Sequence, residues 1–170
     1  MWTNVSGGVG RGCLALVAAL LMADASSAQT GKALLGNWRL VSAVAETASW
    51  LRDPHPYGLH PSGVLSYMPD GRMMVMIAYD GRAPLNGDRV SAPSAQRAQA
   101  FATFFAYAGR YKVDGDKVTH HVEVASVPNW VGMDFVRLMT FQSDRLTLST
   151  PPLSVDGRTL STELVWERVR

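Results

Sequence analysis

From Gly31 onward the chain alternates apolar and polar residues in short runs broken by turn residues, and this period of two constrains the fold more than any other feature. Such alternation is what antiparallel strands with one buried face require. Eight strands are expected at roughly 36–45, 62–68, 72–78, 108–113, 117–124, 134–142, 145–150 and 160–169. In one domain, eight strands point to a mainly β chain closed as an up-and-down antiparallel barrel, because closure removes exposed sheet edges. A β-sandwich is the alternative.

The turns provide an internal check, since paired residues must face the same side. A turn at Asp114-Gly115 pairs Tyr111 with Val118 and Gly109 with His120. A turn at Ser143-Asp144 pairs Phe141 with Leu146 and Met139 with Leu148, and the loop in MPDGR sets Tyr67 opposite Met73. The last two join apolar to apolar, as does Tyr111 with Val118. One stretch departs from period two: SAPSAQRAQAFATFFAYA, residues 91–108, carries alanines, Pro93 near its start and Phe101, Phe104 and Phe105 at helical spacing. It is expected to form one helix between the third and fourth strands. Parity sends Met74, Met76, Val136 and Leu138 outward, a patch that this helix or a second subunit in a homodimer could cover.

The N-terminus reads differently. A basic, glycine-rich opening leads into CLALVAALLMA and then DASSAQT, the order of a secretory signal with cleavage near Ala28. The apolar run is too short for a membrane-spanning helix, which needs about 20 residues. Residues 1–28 are therefore expected to be a signal peptide, residues 29–170 a single domain, and the location periplasmic or secreted. The sole cysteine, Cys13, falls in the leader, so disulfides and thiolate chemistry are not expected in the mature chain. A net charge of +2 with interspersed signs gives no nucleic-acid footprint.

VTHHVEV, residues 118–124, carries the most chemistry. Alternation puts Val118, His120, Val122 and Val124 inside and Thr119, His121 and Glu123 outside. The histidine pair is thus split across the sheet, and no metal or other cofactor is expected, since a metal needs three or four convergent ligands. In the sixth strand Phe135, Arg137, Met139 and Phe141 turn inward, and an even hairpin around Pro128-Asn129 would set Arg137 directly opposite His120. A guanidinium inside a barrel needs a partner or a ligand. Either it reaches the rim and pairs with Asp134, or His120 and Arg137 bind the polar end of a small hydrophobic molecule, with Tyr67, Tyr111, Trp130, Phe135 and Met139 around it. An isomerase or cyclase with His120 as general acid or base and Arg137 stabilising negative charge is a further reading, as is an interior filled by its own side chains. The loop DPHPYGLHPSG, residues 53–63, reads as a stiff surface connection placing His55 and His60 in solvent, with a lid over the barrel mouth as the alternative.

These blocks also resemble a known family. LLGNWRLVSA contains the Gly-x-Trp of a lipocalin first strand, Gly36 and Trp38, and LVWERV supplies Arg168. PSGVLSYMPDGRMMV, GRYKVDGDKVTHHVEVASVPNWVG and RLTLSTPP, in that order, are similar to the bacterial and fungal lipocalin-like domain family, distinct from the main lipocalins, over about residues 34–169. The resemblance implies a small barrel with an internal cavity, closed at its bottom by Arg168 packed over Trp38. It singles out His120, Asn129, Trp130 and Arg137 as matched positions and implies no single activity.

Overall fold

The computed structural model describes residues 30–47, 52–155 and 158–170. The signal peptide expected at 1–28 lies outside the described residues. Among them a helical turn, α1 (30–34), precedes strands β1 (Gly36–Thr47), β2 (Arg52–Asp53), β3 (Ser62–Tyr67) and β4 (Arg72–Ala78). Helix α2 (Ser94–Ala102) follows, then β5 (Phe104–Asp114) and β6 (Lys117–Ala125). A 3-10 turn, η1 (Pro128–Trp130), leads into β7 (Asp134–Gln142), β8 (Arg145–Val155) and β9 (Arg158–Arg168). Each long strand pairs antiparallel with its neighbour, and β1 pairs with both β3 and β9, closing an eight-stranded barrel. The two-residue β2 is an addition, pairing only with Ala45 and Glu46 of β1.

Period-two patterning produces the core. Met73, Val75 and Ile77 of β4 are buried while Arg72, Met74 and Met76 face out. Leu65, Tyr67, Val118, Val122, Met139, Leu146, Leu148 and Trp166 complete the lining from other strands. The pairs Tyr67 with Met73, Met139 with Leu148 and Phe141 with Leu146 form as expected.

Two registers differ from expectation, each by two residues. The β5–β6 turn uses Gly115-Asp116, with Gly115 at φ +59°, so Asp114 pairs with Lys117 and Tyr111 with His120. Gly109 therefore does not lie opposite His120; it pairs with Val122 beside a bulge. A Cβ at Gly109 would lie 1.9 Å from the His121 carbonyl oxygen, so glycine makes room for bulged backbone rather than for an imidazole. The extra residue of this bulge shifts parity, and Val124 points outward at 62% exposure instead of inward. In the β6–β7 connection, η1 and backbone bonds from Val122 N–H to Met133 O and from Gly132 N–H to Val122 O replace the even hairpin. His120 is thus opposite Phe135, and Arg137 is opposite Val118. A slip of two preserves parity, so Arg137 still shares its face with Phe135 and Met139.

The helix is shorter than residues 91–108. It stops at Ala102, and Phe104 and Phe105 open β5, where Phe105 pairs with Ile77. Alanine-rich sequence ends there and strand-forming aromatics begin. Phe101 is 56% exposed, and no residue of α2 is buried. Hydrogen bonds from Arg82 to Ala100 O and Thr103 Oγ1, and from Asn86 N–H to Gln96 Oε1, hold the helix to the preceding loop. It does not bury the outward patch: Met74, Met76, Val136 and Leu138 remain exposed.

Candidate functional site

The two ends of the barrel are built differently. At one end lie the turns after β3, β5 and β7, together with α1. Trp38, fully buried, donates from Nε1 to Leu34 O at 2.9 Å. Arg168 stacks its guanidinium 4.1 Å from the Trp38 ring centroid and donates to Leu35 O at 2.7 Å and Ala33 O at 2.5 Å. Gly36, at φ +118°, passes directly beside it, and a Cβ there would sit 3.1 Å from Arg168 Nη1. The charge is thus satisfied by carbonyls and a π face, and this end is sealed.

The opposite end holds the long connections, and it is aromatic. Tyr57, from the proline-rich loop, packs 4.8 Å from Tyr79 and 5.7 Å from Phe105. Phe105 meets Trp130 of η1 edge-on at 5.7 Å, and Trp130 meets Phe135 at 5.7 Å and Tyr107 at 6.1 Å. The loop is tied down: Asp80 N–H bonds Tyr57 O, His60 N–H bonds Asp80 Oδ2, and the left-handed Gly58 passes where a Cβ would strike Asp80 Cβ at 2.5 Å. His55 and His60 are exposed. DPHPYGLHPSG is therefore more than a surface connection, because its tyrosine forms part of the mouth.

Beneath these rings lies His120, 1% exposed. The Tyr67 hydroxyl is 2.7 Å from its Nε2 and the Tyr107 hydroxyl 3.0 Å from its Nδ1. Burial, with a smaller contribution from the Arg137 charge, lowers its pKa to about 3, so the imidazole is neutral at ordinary pH. One nitrogen then donates to a tyrosine oxygen and the other accepts a tyrosine O–H. Burial likewise raises Tyr67 and Tyr107, while Arg137 pulls both partly back, through charge alone for Tyr67 and through charge and a hydrogen bond for Tyr107. With both nitrogens engaged, His120 orients the tyrosines and reaches the mouth only through Tyr107.

Arg137 is half-buried, 5.2 Å over the Phe135 ring, and donates to Val136 O at 2.9 Å. The alternative of pairing with Asp134 does not hold, because Asp134 lies on the outer face against His121 Nδ1 at 2.8 Å. Outer Glu123 is taken by Arg110 and Arg72. His121 thus bonds Asp134 and Glu123 pairs with two arginines, all on the outer surface, and the histidine pair is split across the sheet. Tyr111 packs edge-on to Tyr67 at 4.9 Å, but its hydroxyl donates to Met68 O, away from His120. Met139 is buried on the Arg137 face, and Asn129 is exposed.

Sequence reasoning missed Tyr57, Phe105 and Tyr107. The last two fall in the stretch whose spacing predicts a helix, yet Phe105, Tyr107 and Tyr111 recur at even spacing, which marks a strand face. A separate cavity of about 170 Å³ opens between β1, β2, β8 and β9, lined by Glu46, Arg52 and Glu163 among others; none of the rings around His120 contributes to it.

The chain is 32% identical to the 4'-hydroxy-3'-methoxypropiophenone carrier protein of Aspergillus oryzae, over 47% of this chain and 80% of that one. Among solved structures, secretory abundant heat soluble protein 4 from Ramazzottius varieornatus aligns over 82% of this chain and 96% of that one, with TM-score 0.40 and 12% identity. Residues 35–169 match the model of the lipocalin-like domain, and the chain belongs to that family.

Proposed function

We propose that this protein is an exported carrier that binds a small, mainly hydrophobic aromatic molecule at the aromatic end of the barrel, with the ligand's polar end toward Arg137 and the Tyr107–His120 pair. The observation that carries the reading is the asymmetry of the barrel. One end is sealed by Trp38 and Arg168, whereas the other presents Tyr57, Phe105 and Trp130 around a half-buried guanidinium without a carboxylate partner among the described residues. Apolar walls with a few convergent polar groups are the usual form of a small-molecule site. The similarity to a carrier of an aryl ketone supports the ligand class.

Entry requires the rings to part. Each edge-on aromatic contact contributes about 0.5–1.5 kcal/mol beyond its buried area, which a stacked aromatic ligand can replace. Trp130 sits on the three-residue η1 and Tyr57 on a loop held by its backbone, so the two side chains can turn without breaking the barrel ladder.

Calorimetric titration with 4'-hydroxy-3'-methoxypropiophenone tests this reading. The wild-type protein should bind one equivalent, and Trp130→Ala should weaken binding at least about tenfold, a loss of about 1.4 kcal/mol. Undiminished affinity in that variant would remove the mouth as the site. Protein recovered outside the cytoplasm should have the intact mass of a chain cut near Ala28; a full-length mass there would remove the signal-peptide assignment.

A further inference from the structure

Arg137 lacks what the other inward-facing arginine has. Arg168 is held by two carbonyls and an indole face, whereas Arg137 has one carbonyl, Val136 O, with the Phe135 face and the Tyr107 hydroxyl, and none of these carries a negative charge. Tyr107 of β5 and Tyr67 of β3 face it with Tyr57 of the loop, and burial keeps all three protonated. His120 of β6 is neutral, and Phe135 of β7 offers only its π face. No carboxylate among the described residues lies within 4 Å of the guanidinium.

Half-buried, this charge keeps part of its water. A ligand seated against Trp130 and Phe135 would strip that water away, and a cation desolvated without a partner is strongly disfavoured. A neutral ligand would impose that cost, whereas an anion offsets it, because charge-assisted hydrogen bonds are roughly twice as strong as neutral ones.

Building on the mouth as the binding site, we propose that the ligand is an aromatic weak acid bound as its anion, with Arg137 as countercharge and the Tyr107 hydroxyl as second donor. The geometry accommodates this second donor. When His120 carries its proton on Nδ1 it donates to the Tyr107 oxygen, Nε2 accepts the Tyr67 O–H, and the Tyr107 O–H is free to donate to the ligand. His120 and Tyr67 thereby position Tyr107 without touching the ligand.

The test uses two probes of similar shape, 4-nitrophenol, which ionises, and 4-nitroanisole, which does not. Bound to excess wild-type protein, 4-nitrophenol should be half-ionised at a pH at least about one below that of the free probe, equivalent to about a tenfold preference for the anion. Arg137→Gln should return this ionisation to the free value and, by removing the desolvation cost of the charge, should strengthen 4-nitroanisole binding. Bound 4-nitrophenol ionising at the same or a higher pH than the free probe would overturn the proposal while leaving the binding site intact. If neither probe binds the wild-type protein, the mouth is not the site, and the assignment of Arg137 falls with it.

Discussion

Replacing Trp38 by alanine should destabilise the protein by about 3–5 kcal/mol, the usual cost of truncating a fully buried tryptophan. The loss should reach the upper part of that range, because more than volume disappears. Arg168 loses the ring over which it stacks, and Leu34 O loses the indole N–H, so α1 loses one of its ties to the barrel floor. Urea unfolding followed by far-UV circular dichroism checks the value. Trp130→Ala, at the open end and half-buried, should cost less than half as much, and equal costs would contradict a sealed floor opposite an adaptable mouth.

Acid should weaken the fold through His120. Its folded pKa, about 3, is below the ordinary value of 6.5 because burial disfavours the imidazolium and Arg137 repels it. Between those values the unfolded chain binds a proton that the folded chain does not. The contribution is therefore complete above pH 6.5 and is lost as pH falls toward 3, with a slope approaching about 1.4 kcal/mol per pH unit. His120→Gln retains a donor and an acceptor for the two tyrosines but does not titrate. Unfolding measured at several values between pH 7 and 4 should show a shallower decline in that variant by up to this slope. Parallel profiles would mean that His120 is not held neutral by the fold.

How much of this was legible beforehand depends on which interactions are local. Alternation in MMVMIA and in DFVRLMTFQ fixed which side chains face in, and a two-residue slip in register did not disturb it. Arg137 therefore stayed on the interior face although its partner across the ladder changed from His120 to Val118. Parity failed only at Val124, where the bulge inserts a residue, and Gly109 marked that place without revealing why. The helix boundary was misplaced because FATFFAYA fits a helical stripe and a strand equally well over a short window; pairing of Phe105 with Ile77, remote in sequence, decides between them. Tyr57 and Tyr107 were invisible as site residues for the same reason. Their place beside Trp130 and His120 is set by barrel closure, which no local pattern encodes. The pairing of Asp134 with His121 likewise depended on the β6–β7 register, and it left Arg137 to the mouth.

The asymmetry of the barrel is thus the center of the functional account, and its tryptophans report on both ends. The most direct measurement is a 1H–15N correlation spectrum of the indole N–H groups during titration with an aryl ketone. The Trp130 resonance at the mouth should shift saturably and the Trp38 resonance at the floor should stay unchanged, because its N–H stays bonded to Leu34. Saturable shifts at Trp38 with Trp130 unmoved, or no saturable shift at either, would contradict it.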